Sequence, residues 1–160
     1  MTRHRKPGLK RHRSDTPPPG IFSPSEIASD PSWVPDMAAL GEPAMTAETY
    51  IAAYIADVDA WWWSTNQHHE PADLALKRTL AIIARAKMPD HERALGQLGV
   101  DPLENMMSDE LLDLLRAWMP FTPAMCYALG CVRMEFEPPE LQHRLNAMVA
   151  ESRRNTEFND

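Results

Sequence analysis

Residues 45–63 read Met45-Thr46-Ala47-Glu48-Thr49-Tyr50-Ile51-Ala52-Ala53-Tyr54-Ile55-Ala56-Asp57-Val58-Asp59-Ala60-Trp61-Trp62-Trp63, and this stretch decides the fold class. Thr46 is placed to cap a helix, with Met45 and Tyr50 flanking the cap as a hydrophobic staple. The apolar positions Ile51, Tyr54, Ile55, Val58, Trp61 and Trp62 then advance by three, one, three, three and one. That is the spacing of one helical face and not the alternation of a strand.

Downstream the helical pattern recurs, each time with its own start signal. Pro71 suits the first position of a second helix whose stripe Leu76, Leu80, Ile83 runs to Lys87 and stops before Pro89. Asp90 is placed to cap a short third helix. Asp101-Pro102-Leu103-Glu104 reads as cap, first position and third position of another, with the acidic charges favoured at a helix N-terminus. Ser108 precedes Leu111, Leu112, Leu115, Trp118 and Met119, a stripe ended by Pro120. Thr122-Pro123 repeats the cap signature, and Pro138-Pro139 opens a last helix through Leu141, Leu145, Met148 and Val149. The expected fold is all-α, a compact bundle or short solenoid-like stack of six to seven helices over residues 44–153, with 154–160 as a C-terminal tail.

Upstream the character changes. Residues 1–43 hold eight of the 15 prolines and no sustained period, which predicts a disordered basic arm and a Pro-rich linker. On that reading a chain starting near Pro43 should lose no helical content. Ile21-Phe22 and Trp33-Val34 are apolar islands that a solvated linker would not need, so Trp33 is a candidate for docking on a partner. The net charge of −7 divides as +6 over residues 1–13, −5 over 14–43 and −8 over 44–160.

The chain from about Tyr50 to Leu145 resembles a bacterial all-helical domain family of unknown function. The residues that carry the likeness are Trp61-Trp62-Trp63, then Leu98-Gly99-Val100-Asp101-Pro102-Leu103-Glu104, then Tyr127-Ala128-Leu129-Gly130-Cys131-Val132. Asp101 departs from the small residue expected before the proline, and Met106-Met107 from the usual end of the element. The resemblance implies a helical fold and brings neither an activity nor catalytic residues.

No nucleophile elbow, P-loop, dinucleotide fingerprint or zinc-finger spacing occurs, and no catalytic residue or cofactor is indicated. His68-His69-Glu70 offers imidazole and carboxylate ligands for a metal, without the spacing of an established motif. Asp57 and Asp59 lie about 200° apart on a helix and cannot act as a general acid–base pair. No apolar run approaches the ~20 residues that span a bilayer. Cys126 and Cys131 point about 140° apart on a helix, against a disulfide and in keeping with a reducing cytoplasm.

What remains is surface for a partner. Three successive tryptophans cover about 200° of helix, too wide for one core stripe. By phase Trp61 and Trp62 continue the buried face and Trp63 turns outward, making Trp63 a candidate hot spot whose loss should spare the fold, unlike that of Trp62. Met106 and Met107 are candidates for an adaptable groove. Arg3, Arg5, Lys6, Lys10, Arg11 and Arg13 could neutralise phosphates in a salt-sensitive contact with nucleic acid. The combination points to a cytoplasmic, non-enzymatic macromolecule-binding protein of bacterial or phage type, acting as an interaction, inhibitor or immunity module on a protein partner. The competing reading is a nucleic-acid-associated accessory protein that works through residues 3–13.

Overall fold

The computed structural model describes residues 19–159. Over these residues the protein is all-helical, with nine α-helical segments, short 3-10 and π turns between them, and no strand. The helices are α1 (Pro24–Ser29), α2 (Ala47–Ala56), α3 (Val58–Trp61), α4 (Ala72–Arg85), α5 (Glu92–Leu98), α6 (Glu104–Met106), α7 (Asp109–Leu115), α8 (Pro123–Gly130) and α9 (Pro139–Asn159). No helix among the described residues is long and apolar enough to cross a membrane.

Several start signals work as their residue types require. Thr46 Oγ1 accepts from Thr49 N at 3.1 Å, Ser108 Oγ from Leu111 N at 3.1 Å and Thr122 Oγ1 from Met125 N at 3.2 Å. Each cap satisfies one of the amide donors that a helix start leaves open. The central element is α4, which touches α1, α2 and α8 and buries Ala75, Leu76, Arg78, Thr79, Leu80, Ala81, Ile82 and Ile83.

The segment 19–43, expected to lack regular structure, is part of the fold. It forms 3-10 turns at Pro19–Phe22, Pro31–Trp33 and Met37–Leu40, with α1 between the first two. Phe22, Ile27 and Trp33 are buried, and each contributes about 1.5–3 kcal/mol by leaving water. The prolines start turns here. Pro24 and Pro31 follow the capping side chains of Ser23 and Asp30, where the missing amide donor costs nothing. Each turn is too short to show a helical period, so the pattern that reveals long helices is silent. Residues 1–18, including the cations of the arm, lie outside the described residues.

Three further departures have local causes. The first helix does not run through to Trp63: it ends at Asp57, whose φ of −146° and ψ of 78° are non-helical and whose carboxylate accepts from Ala60 N to start α3. Asp101 caps nothing. The chain passes from α5 into α6 through a π turn, Gly99–Leu103, that widens around Pro102, a residue unable to donate a helical hydrogen bond. The last helix continues to Asn159, so no separate tail begins at 154.

Candidate partner-binding groove

The break at Asp57 re-aims all three tryptophans. A 3-10 turn, Trp62–Thr65, follows α3, and 3-10 geometry rotates each residue by about 120° instead of 100°. Trp62 is consequently the outward indole, 37% exposed, while Trp61 and Trp63 are half-buried. This reverses the order expected from an unbroken helix. Trp62 meets only the edge of His69, with ring centroids 5.0 Å apart.

Trp61 and Trp63 stack on each other with centroids 6.0 Å apart and planes 28° from parallel. Trp61 stands edge-on against Tyr50 at 5.9 Å, and Tyr50 packs on Trp33 at 6.2 Å. An aromatic relay therefore runs from the buried Trp33 to the surface. Beneath it, Tyr50 Oη lies 2.6 Å from Ser64 Oγ, and Tyr54 Oη lies 3.0 Å from Thr65 Oγ1. Burial holds both phenols well above their ordinary pKa, so they are neutral packing groups with a polar tip.

Facing the tryptophans is the strap that follows Trp33. Asp36 accepts from Ala38 N at 3.1 Å to start the Met37–Leu40 turn, and Gly41 closes it at φ 75°, a left-handed conformation that glycine adopts without strain. Strap and tryptophans enclose a groove of about 510 Å³ lined by Met37, Leu40, Glu42, Pro43, Met45, Ala60, Trp61 and Trp63. Leu40 is 63% exposed at its edge. Glu42 is the single charged side chain in the lining.

Both walls hang from one buried cation. Arg78 on α4 is 3% exposed; its Nε donates to Trp33 O at 2.6 Å, and one terminal nitrogen donates to Ser64 O and to Glu70 Oε1 at 2.9 and 2.8 Å. Those acceptors satisfy a charge that would otherwise be costly inside the fold.

Of the residues singled out by sequence, Trp63 alone lines this groove. Trp33 is buried beneath it, and Met106 and Met107 are each 1% exposed in the core, leaving no side-chain surface for a partner. His68, His69 and Glu70 do not converge: Glu70 is taken by Arg78, His69 by Trp62, and His68 is exposed. Among the described residues no group of three or more His, Cys, Asp or Glu is placed to hold a metal ion. Sequence reasoning missed Met37, Leu40 and Pro43 and read Met45 only as a helix staple, although the Asp36 cap and Gly41 stop were available as signals of an ordered turn.

Two of the stretches that carry the noted resemblance, 98–104 and 127–132, meet in space. Leu98–Leu103 packs on α8, with Gly99 against Ala128, and Glu104 accepts from Arg133 N and from Arg133 Nε at 2.8 and 2.9 Å. No family model matches the chain, and no curated protein or solved structure matches it either.

Proposed function

We propose that this chain is a non-enzymatic macromolecule-binding protein that takes an apolar, cation-bearing segment of a partner protein into the groove between the 37–45 strap and Trp61/Trp63. The observation that supports this is the lining itself: two stacked indoles, Leu40, two methionines and a proline open to solvent, with Glu42 as the single charge. Rigid aromatic rings beside adaptable methionines suit a buried anchor residue, and one carboxylate favours a lysine or arginine next to it.

The test is selection of a random peptide library on the full chain, repeated on Leu40→Asp. Leu40 is largely exposed, so the substitution leaves folding intact while placing a charge in the groove. The expected result is enrichment of peptides that pair an apolar residue with Lys or Arg and bind Leu40→Asp about tenfold or more weakly. Selected peptides that bind both proteins equally would overturn the assignment.

A further inference from the structure

The groove lies in a long block of one charge sign. From Ser14 to Leu76 the chain carries ten carboxylates and no lysine or arginine, and the 13 residues directly before that block carry six cations and no acid. Among the described residues of this block, Glu48 pairs with Arg85, Asp59 with Arg93 and Glu70 with Arg78, all cations from later helices. Glu42 in the groove and Asp36 at the start of the strap have no cation partner among the described residues. The carboxylates of the groove and its strap are thus opposite in sign to the basic N-terminal segment of the same chain.

The apolar content matches as well. Lys6-Pro7-Gly8-Leu9-Lys10 places a proline and a leucine between cations, the chemistry that the lining selects. Reach is not limiting. Eighteen residues precede Pro19 and span up to about 60 Å when extended, whereas a fold of this size has a radius of gyration of about 14 Å. Tethering also raises the local concentration of the segment to about the millimolar range, so a weak contact is populated.

We propose that residues 3–13 of the chain itself occupy this groove, with Leu9 as the apolar anchor against Leu40 and Trp63 and the flanking cations facing Glu42 and Asp36. The inference rests on the groove being a binding surface, as argued above, and makes the N-terminal segment a tethered competitor of the partner. A segment that fills the groove two-thirds of the time weakens partner binding about threefold.

The experiment compares the full wild-type chain with one carrying Arg3→Gln, Arg5→Gln, Lys6→Gln, Lys10→Gln, Arg11→Gln and Arg13→Gln together. The readout is the set of five indole N–H resonances, each assigned by a Trp→Phe substitution. The Trp61 and Trp63 signals should differ between the two proteins while those of Trp33 and Trp118 stay fixed. High salt should move the wild-type signals toward the charge-neutralised ones, and a synthetic peptide of residues 1–18 added to the neutralised chain should move them back. Library-selected peptides should bind the neutralised chain about threefold more tightly.

Unchanged Trp61 and Trp63 signals, with the selected peptides still bound in the groove, overturn the tethered competitor and leave the groove reading standing. Unchanged signals with no peptide binding overturn both. A difference that grows with protein concentration assigns the contact to a second copy and overturns the intramolecular contact.

Discussion

Gly99 at the start of the π turn lies so close to the backbone of α8 that a Cβ atom there would sit 2.2 Å from Ala128 O and 2.7 Å from Cys131 Cβ. A carbonyl oxygen cannot swing aside as a side-chain tip can, so any larger residue must push α5 and α8 apart. We expect Gly99→Ala to cost about 3 kcal/mol, at the upper end for overpacking. Gly96, one turn earlier in the same helix, has nothing within 4 Å of its would-be Cβ. Gly96→Ala should instead stabilise the protein by about 0.5–1 kcal/mol through helix propensity. Denaturant melts of the two variants should move in opposite directions; a shared sign would show that the α5–α8 approach is not the constraint.

The tryptophans rank differently from a helical-wheel count. Trp33→Ala should cost about 3–5 kcal/mol, because it empties the base of the aromatic relay. Trp62→Ala, at the exposed position, should stay within about 1 kcal/mol of wild type, losing the His69 edge contact and little else. Trp63→Ala falls between them, since it gives up both its stack on Trp61 and its N–H bond to Ala60 O at 3.1 Å. Thermal melts of the three settle the order, and a severe loss at Trp62 would restore the unbroken helix.

Gln67, in the loop between the Trp turn and α4, encloses both its amide oxygen and its amide nitrogen without a hydrogen-bond partner. Enclosed polar atoms left unpaired typically cost about 1–3 kcal/mol. Gln67→Met keeps the length of the side chain and removes the amide, so a gain of about 1 kcal/mol is expected, near 3 °C in Tm for a fold of this size. A drop in Tm would mean that the amide is solvated in place by ordered water.

Alkaline pH should weaken the fold from a definite starting point. Burial holds the Tyr50 and Tyr54 phenols and the Cys126 thiol above their ordinary values of 10.0, 10.0 and 9.0. In the unfolded chain these groups lose protons first, so the unfolded state binds fewer protons and stability falls as pH rises. The stabilisation is complete below about pH 9 and declines above it. Tm measured from pH 8 to 11 should be flat and then fall, with tyrosinate absorbance appearing only with unfolding for Tyr50 and Tyr54. A native protein that ionises all its tyrosines near pH 10 would contradict this burial.

Helix starts were legible wherever a cap side chain preceded a long apolar stripe, as at Thr46, Ser108 and Thr122. The same Ser-Pro and Asp-Pro grammar marks Ser23-Pro24 and Asp30-Pro31, yet proline density there reads as linker because each turn buries one large residue and shows no period. Asp101 was misread for the opposite reason. Its carboxylate has the look of a cap, but tertiary partners decide its role: it accepts from Asn66, Gln97 and Asn105, tying the loop after the Trp turn to the π turn. The groove was half visible. Trp63 stood out by type, whereas the opposing wall emerges only when the strap folds back on the Trp turn, a contact between segments distant in sequence.

Arg78 has a consequence for the shape of the groove. The strap wall begins at Met37, four residues after Trp33, and the tryptophan wall ends at Trp63, one residue before Ser64; the carbonyls of Trp33 and Ser64 are held by the same guanidinium. The walls behave like two jaws on a common pivot set behind the mouth. With Arg78 only 3% exposed, moving either carbonyl away would leave part of a buried guanidinium unpaired, so the two roots of the groove are held in register. The gauge between those roots is set by a side chain that is not itself part of the groove lining.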